Sequence, residues 1–244
     1  MEITAVFAKV LRDVALGCDV TYDNFLYDDA DVVKLLHRAR AFVRKECSPD
    51  RVDRMRIRTN IVDSFLRSAC RECSSAQPRQ VVILGCGLDD RAERLGLFSQ
   101  CHVFELDVPA VIRLKERLSV MRTGTSRSRL VPHRITESRG WVDALCSAGY
   151  STAPCTFILE GLVMYMNRSE VESMLRFIYE IAARGSDVLF HTVSTASAAE
   201  SSEYCFGTDD GKGLLERAGF CKCRRVAYPA QQGAMSYFVC GSKQ

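Results

Sequence analysis

The sequence lacks a long apolar run, a strong charge of one sign and a secretory leader pattern. No stretch of about eighteen apolar residues occurs in the 244-residue chain, so we expect no membrane-spanning helix. The segment from Met1 to Val14 mixes acids and bases among its apolar residues, which a secretory signal does not do. The net charge of +3 is too small to indicate a nucleic-acid partner. A cytoplasmic monomer without a membrane or nucleic-acid partner is the simplest expectation.

Histidine is also scarce, and it forms no catalytic constellation with serine, cysteine or acid. The four histidines are scattered and are treated as structural: His37, His102, His133 and His191. Only His191, at the end of a candidate strand, is placed to face a pocket.

Cysteine is abundant, but its spacing excludes the usual metal sites. The pairs Cys70/Cys73 and Cys221/Cys223 lie far apart and lack the glycine or proline of a zinc knuckle. We therefore expect no metal and reduced structural thiols. Several of the twelve cysteines fall in expected core elements: Cys86, Cys101 and Cys240.

Hydrophobic periodicity predicts a single domain, residues 1–244, with a helical cap over residues 1–76 and an α/β core over 77–244. Candidate strands are Val81–Leu84, His102–Leu106, Leu130–Pro132, Thr156–Leu159, Val188–His191, Lys222–Tyr228 and Met235–Cys240. Candidate helices are Asp90–Leu97, Pro109–Met121, Trp141–Ala148, Ser169–Ala183 and Lys212–Ala218. Ser169 and Glu172 are expected to form a capping box, and Gly185 to stop that helix.

Strands that alternate with helices indicate a mainly parallel sheet covered on both faces. The last two candidate strands are joined by Pro229 to Gly233, which is too short for a helical crossover, so they should pair antiparallel. The sequence therefore predicts the α/β fold of class I methyltransferases, which is Rossmann-like. It has seven mainly parallel strands, an antiparallel terminal hairpin and a helical N-terminal extension.

The first strand ends in Gly85-Cys86-Gly87, where backbone and ligand can approach closely. The third glycine of a dinucleotide site is replaced by Asp90, preceded by Asp89. Two carboxylates would repel a pyrophosphate. A cofactor without one, such as the cationic S-adenosyl-L-methionine, fits this turn better.

Acids follow two other strands at the same edge of the sheet. Glu105 and Asp107 end the second strand, where one of them is expected to bind ribose hydroxyls. Glu160 and Gly161 follow the fourth strand, and Tyr165 comes five residues later. Tyr165 is either a substrate-site residue or a core aromatic.

These motifs resemble the leucine carboxyl methyltransferase family. The resemblance rests on VVILGCGLDDRAERL, FELDVPAVIRLK, LEGLVMYM and the Arg58-Thr59 pair at the opening of the helix before the first strand. It implies an S-adenosyl-L-methionine-dependent carboxyl O-methyltransferase. The implied acceptor is the C-terminal leucine in the tail of a protein phosphatase 2A-type catalytic subunit. A small-molecule acceptor and a cofactor-binding inactive homologue are the alternatives.

The resemblance also implies roles for individual residues. Arg58 would meet the methionyl carboxylate and take part in catalysis, and Tyr165 would lie near the substrate carboxylate. The remaining implied cofactor contacts are Gly85 and Gly87 in the turn, Asp107 rather than Glu105 at the ribose, Glu160 at the amino group, and Arg12 or Lys9 from the N-terminus.

One segment departs from the family pattern, and one basic segment has two possible interpretations. His133-Arg134-Ile135 stands where the family carries Asp-Leu at the adenine, so backbone groups or Glu137 must bind the base, or cofactor affinity is reduced. The segment from Lys34 to Arg58 contains nine Lys or Arg residues and only three acids. They form either a solvated helix face or a platform for an acidic substrate tail.

Overall fold

The computed structural model describes residues 2–17, 30–71, 79–97, 101–119, 128–226 and 236–244. Three long helices precede the first strand: α1 (Glu2–Ala15), α2 (Ala30–Glu46) and α3 (Pro49–Arg71). The strands are β1 (Arg79–Leu84), β2 (Cys101–Asp107), β3 (Arg129–Pro132), β4 (Cys155–Leu159), β5 (Asp187–Val193), β6 (Cys221–Val226) and β7 (Ser236–Ser242). The later helices are α4 (Arg91–Arg94), α5 (Pro109–Ser119), α6 (Gly140–Ser147), α7 (Arg168–Ile181), α8 (Thr195–Glu200) and α9 (Gly211–Arg217).

The seven strands form one sheet in the order β3-β2-β1-β4-β5-β7-β6. Strands β1 to β5 pair in parallel, and β7 runs antiparallel between β5 and β6. The predicted sheet with its antiparallel terminal hairpin is therefore confirmed. The strand order reverses between β1 and β4, so a crevice opens at the carboxyl ends of these two strands.

Alternating side chains of each strand build two apolar cores, one on each face of the sheet. Val82 and Leu84 of β1 pack with residues of α6 and α7 on one face. Val81 and Ile83 pack on the other face, which α3 covers with Val62 and Leu66. Cys86, Cys101 and Cys240 are buried, as their predicted core positions require.

The N-terminal helices pack against the crossover that follows β2. Val6 and Val10 of α1 share an apolar cluster with Leu88, beside the glycine turn, and with Leu114 of α5. This contact holds α1 over the glycine turn. The division into a cap and a core within one domain remains a prediction. No helix in the described ranges combines the length and the apolar character needed to cross a membrane.

The predicted cap of α7 is wrong by two residues. Asn167 caps the helix: its side chain accepts a hydrogen bond from the Glu170 amide at 2.9 Å, and the Glu170 carboxylate accepts one from the Asn167 amide at 2.9 Å. Ser169 does not cap the helix, and its hydroxyl lies 2.7 Å from the side-chain oxygen of Asn167. The helix ends at Ile181, and Gly185 lies in the turn before β5.

Two further boundaries differ from the sequence expectation. Arg58 and Thr59 lie well inside α3, which begins at Pro49 and does not open at this pair. Helix α4 has only four residues, because the chain turns at Gly96 with a φ of +64°. The expected element ends at Met121, Tyr228 and Met235 lie outside the described residues, as does Cys73.

Candidate active site

The glycine turn takes a backbone conformation that other residues rarely adopt. Gly85 and Gly87 have φ angles of +66° and +53°. The Gly85 amide donates to the Leu106 carbonyl at 2.8 Å, which fixes the turn to β2. A Cβ on Gly85 would lie 2.9 Å from Cδ1 of Leu162. The turn thus keeps its backbone at the bottom of the crevice.

Asp107 at the end of β2 is tied to the same turn. Its carboxylate accepts hydrogen bonds from the Gly87 amide at 2.8 Å and from the Val108 amide at 2.7 Å. Burial nevertheless raises the pKa of Asp107 above its ordinary value. Each carboxylate oxygen retains a lone pair for a further donor. A partly buried acid held in this way is suited to accept hydrogen bonds from a ligand diol.

Glu105 has a different environment, although it lies only two residues earlier. It is 2% exposed, and its carboxylate accepts a hydrogen bond from the Lys115 ammonium of α5 at 2.7 Å. Lys115 also donates to the Asp89 carbonyl at 2.5 Å. This internal ion pair favours Asp107 over Glu105 as the ligand-binding acid.

Glu160, directly after β4, lies between two arginines. Arg58 Nε donates to Oε1 at 2.5 Å, and Arg91 Nη2 lies 2.8 Å from Oε2. Burial alone would raise the pKa of Glu160, but the neighbouring arginine cations, Arg91 foremost, hold it far below its ordinary value. The terminal nitrogens of Arg58 make no hydrogen bond or ion pair within the described ranges. They are therefore free to bind an anion.

Arg91 is the main residue that the sequence did not single out. It is 0% exposed and contacts three buried carboxylates, which we call the Arg91 cluster: Asp63 at 3.1 Å, Asp89 at 2.5 Å and Glu160 at 2.8 Å. The cluster joins α3, the glycine turn and the end of β4. Arg91 closes the LGCGLDDR motif, and this position was the only available signal of its role.

The N-terminal cations reach the site but already have partners. Arg12 Nη1 lies 3.3 Å from the Asp89 carboxylate. Lys9 Nζ lies 3.2 Å from Asp13 and 3.3 Å from Asp90. The family resemblance implied that Arg12 or Lys9 contacts the cofactor, and in the structure both lie beside the acids that follow the glycine turn.

Tyr165 is a surface residue and not a core aromatic. It belongs to a 3₁₀ turn in which Val163 and Met164 are buried, while 47% of Tyr165 is exposed. Its ring meets the Tyr204 ring edge-on at 5.6 Å. Partial burial and the neighbouring Tyr204 raise the pKa of Tyr165, and the charge of Arg58 partly offsets this. Tyr165 therefore borders the crevice on the side of Arg58.

The residues after β3 make few contacts with the rest of the site. The His133 amide donates to the Asp107 carbonyl at 2.9 Å, and His133 Nδ1 lies 2.8 Å from the Arg134 carbonyl. Glu137 is exposed and accepts a hydrogen bond from the Ser169 hydroxyl. In the described part of the chain, no three His, Cys, Asp or Glu side chains are arranged to hold a metal ion.

His191 lies on β5, next to β4, whose carboxyl end leads into Glu160, and only 3% of the surface of His191 is exposed. Burial, together with the Arg58 cation, lowers its pKa from 6.5 to about 3. The folded protein therefore resists protonation of His191 in a range where an unfolded chain is protonated.

We expect this histidine to make stability depend on pH. Between pH 7 and pH 5 the unfolded chain gains a proton that folded His191 does not accept, so stability falls as the pH is lowered. The ordinary pKa of 6.5 lies about 1.5 units above pH 5, so the loss of stability over this interval is about 2 kcal/mol at about 1.4 kcal/mol per pKa unit. Urea unfolding of the wild type and H191F at both pH values measures it, because H191F lacks this titration.

The exposed His102 supplies the control for this measurement. H102F, unfolded under the same conditions, controls for the exchange of a histidine for a phenylalanine outside the crevice. A difference between the wild type and H191F that does not change with pH contradicts the prediction.

A sequence model of the leucine carboxyl methyltransferase family matches residues 22–179. Two bacterial relatives are provisionally named S-adenosyl-L-methionine-dependent methyltransferases. The Streptomyces coelicolor protein is 34% identical over 135 residues, which are 55% of this chain and 44% of that protein. The Mycolicibacterium vanbaalenii protein is 37% identical over 150 residues, 58% of this chain and 47% of that protein. The chain therefore spans about half the length of these relatives.

Solved structures share the fold. A Thermobifida fusca protein provisionally named a methyltransferase has a TM-score of 0.61 at 13% identity, covering 96% of this chain and 93% of its own. The N-methyltransferase NodS of Bradyrhizobium japonicum, in complex with S-adenosyl-L-homocysteine, has a TM-score of 0.52 at 13% identity, covering 82% of this chain and 90% of its own. The fold of this chain is that of class I methyltransferases.

Proposed function

Because the chain belongs to the leucine carboxyl methyltransferase family, we propose that it transfers a methyl group from S-adenosyl-L-methionine to a carboxylate oxygen. The observation that carries the proposal is the order of polar groups along the crevice. Asp107 ends β2, Gly85 follows β1, and Glu160 with its partner Arg58 follows β4, which is the order of neighbouring strands in the sheet.

The residues present fit the chemical groups of this cofactor. Asp107 would accept hydrogen bonds from the two ribose hydroxyls, and the Gly85 backbone would lie under the methionine chain. The two terminal nitrogens of Arg58 would bind the methionyl carboxylate as a fork. Glu160, kept ionised by its arginines, would face the ammonium group. When bound, this cofactor supplies an electrophilic methyl group on a cationic sulfur.

A carboxylate acceptor removes the need for a general base, because it is already ionised at neutral pH. One oxygen of the acceptor carboxylate would form the new O–CH₃ bond while the S–CH₃ bond breaks. The electron pair of the broken bond would stay on sulfur. The protein then contributes alignment and exclusion of water. Tyr165, which borders the crevice near Arg58, would contact the acceptor.

Three candidates follow for the acceptor and the activity. One is a protein tail that ends in leucine, such as that of a phosphatase 2A-type catalytic subunit. The exposed cations Arg44, Lys45, Arg51 and Arg54 of α2 and α3 would attract acidic residues of such a tail. Another is a small-molecule carboxylate, which needs no such surface. The third is an inactive homologue that binds the cofactor, suggested by His133-Arg134-Ile135.

Methyl transfer from labelled S-adenosyl-L-methionine distinguishes these candidates. We expect label in a base-labile ester with N-acetyl-L-leucine, and none with N-acetyl-L-leucinamide, which has no carboxylate. The phosphatase catalytic subunit with and without its terminal leucine tests the protein acceptor, and labelling that persists without the leucine excludes it. Calorimetric cofactor binding without any base-labile product would contradict the proposal and favour the inactive homologue.

A further inference from the structure

His191 has no hydrogen-bond partner for either ring nitrogen among the described residues. Its ring packs against Phe238 with the centroids 4.7 Å apart and an angle of 40°. Leu189 and Phe238 belong to the apolar core on this face of the sheet. A phenylalanine would suit these surroundings better than an imidazole, because an unpaired buried polar group destabilises the fold. Packing therefore does not account for the histidine.

The position of His191 connects it to the crevice. It lies two residues beyond Leu189 on β5, so its side chain points to the sheet face that α3 covers. Arg58 projects from α3 on the same face. Leu159 of β4 pairs with Phe190 of β5, so Glu160 and His191 follow at the same level of neighbouring strands, and Arg58 contacts Glu160 there.

The strand order then assigns His191 a place relative to the cofactor. Asp107 on β2, Gly85 after β1 and Glu160 after β4 accommodate the proposed cofactor from its ribose to its amino group. Strand β5 is the next one along, about 5 Å further at the spacing of neighbouring strands. The proposed cofactor contacts occupy β2, β1 and β4, so His191 on β5 borders the part of the crevice that is left for the methyl acceptor.

We propose that His191 donates a hydrogen bond from a ring N–H to one oxygen of the acceptor carboxylate, and so aligns the other oxygen with the methyl group. His191 is a positioning residue in this proposal, which rests on the proposed carboxyl methylation. Its ring stays neutral in the folded protein, and a neutral imidazole retains one N–H donor. No proton is transferred, because the carboxylate is already ionised.

Kinetics of methyl transfer to N-acetyl-L-leucine test the proposal with three variants. H191F keeps the ring volume against Phe238 but removes the donor. We expect kcat/KM to fall about 10- to 100-fold, as the loss of one hydrogen bond to a charged group implies, while calorimetric S-adenosyl-L-homocysteine affinity stays within about twofold. H191N and H191Q place an amide N–H near Nδ1 or Nε2 of the original ring. At least one of them should recover most of the lost rate.

Each other outcome overturns the proposal. An unchanged kcat/KM in H191F removes any role, and a parallel loss of S-adenosyl-L-homocysteine affinity places the imidazole on the cofactor. A loss that neither amide variant recovers indicates a role in packing. The H102F variant, altered at an exposed histidine of β2, should behave as the wild type and control for general damage.

Nuclear magnetic resonance separates this proposal from the proposed function. With ¹⁵N-labelled histidine and saturating S-adenosyl-L-homocysteine, N-acetyl-L-leucine should shift the His191 resonance, identified as the one missing in H191F. N-acetyl-L-leucinamide should leave it unchanged. Absence of the shift overturns the role of His191 even where methyl transfer occurs. A carboxylate-dependent shift without methyl transfer supports the role and contradicts only the enzymatic activity.

Discussion

Replacing Arg91 with methionine is expected to destabilise the fold by at least about 3 kcal/mol. Removal of one partner from a buried ion pair typically costs 3–5 kcal/mol, because the remaining charge stays buried without compensation. Here one guanidinium compensates Asp63, Asp89 and Glu160, and Arg91 is 0% exposed. Methionine fills a similar volume, so the loss reports charge and hydrogen bonding and not a cavity. Equilibrium urea unfolding measures it.

A surface arginine provides the matched control. Arg217 pairs with Asp210 at 3.1 Å, and both side chains are more than half exposed. R217M should therefore change the free energy of unfolding by less than about 1 kcal/mol. Equal effects of R91M and R217M would contradict the assignment of the Arg91 cluster as a main stabilising contact between α3, the glycine turn and β4.

The pH dependence of R91M adds an independent signature. In the wild type, burial opposes ionisation of Asp89 and Glu160, but Arg91 and the other cations hold both pKa values below their ordinary range. These two acids thus stabilise the fold above the unfolded pKa, and this contribution is lost as the pH falls through the folded pKa. Without Arg91 the folded pKa values rise, because Glu160 and Asp89 keep only Arg58 and Arg12 as ion-pair partners among the described residues. The destabilisation by R91M should therefore shrink as the pH is lowered towards the folded pKa values of these acids in the variant.

The elements that define the crevice were predictable from local sequence. A short apolar run that ends in Gly85-Cys86-Gly87 permits few backbone arrangements, and the acid at Asp107 follows at the expected distance. Alternation of strands and helices was sufficient for a mainly parallel sheet. The short connection before the last strand was sufficient for an antiparallel hairpin. Each of these inferences depends on neighbours in the sequence.

The Arg91 cluster could not be predicted in the same way. Asp63 is 28 residues from Arg91 and lies on α3, so only the packing of α3 against the sheet brings them together. The contact of Arg12 with Asp89 could not be predicted from the local sequence either, because it depends on where α1 packs. The exposure of Tyr165 depends on a 3₁₀ turn between buried methionines. The cap of α7 was misplaced because Asn167 and Ser169 both suit an N-cap.

Replacing Asp107 with alanine is expected to abolish most of the affinity for S-adenosyl-L-methionine and to leave the fold intact. Two hydrogen bonds from ribose hydroxyls to a charged acceptor contribute about 1.5–3 kcal/mol each, so the dissociation constant should rise at least 100-fold. Stability should change by less than about 1 kcal/mol. The variant loses two hydrogen bonds from backbone amides, but it no longer has to bury a carboxylate. The cost of burying that carboxylate, which raises the pKa of Asp107, offsets the lost hydrogen bonds. Calorimetric titration and thermal unfolding measure the two effects.

Two acids near Asp107 make this prediction discriminating. E116A removes an exposed acid from α5 and should alter neither binding nor stability. E105Q leaves the buried Lys115 without its charged partner, so it should lower stability by at least about 3 kcal/mol. If D107A loses cofactor affinity but not stability, and E105Q loses stability, then Asp107 binds the ligand and Glu105 stabilises the fold. Unaltered cofactor affinity in D107A would show that a residue other than Asp107 binds the ribose.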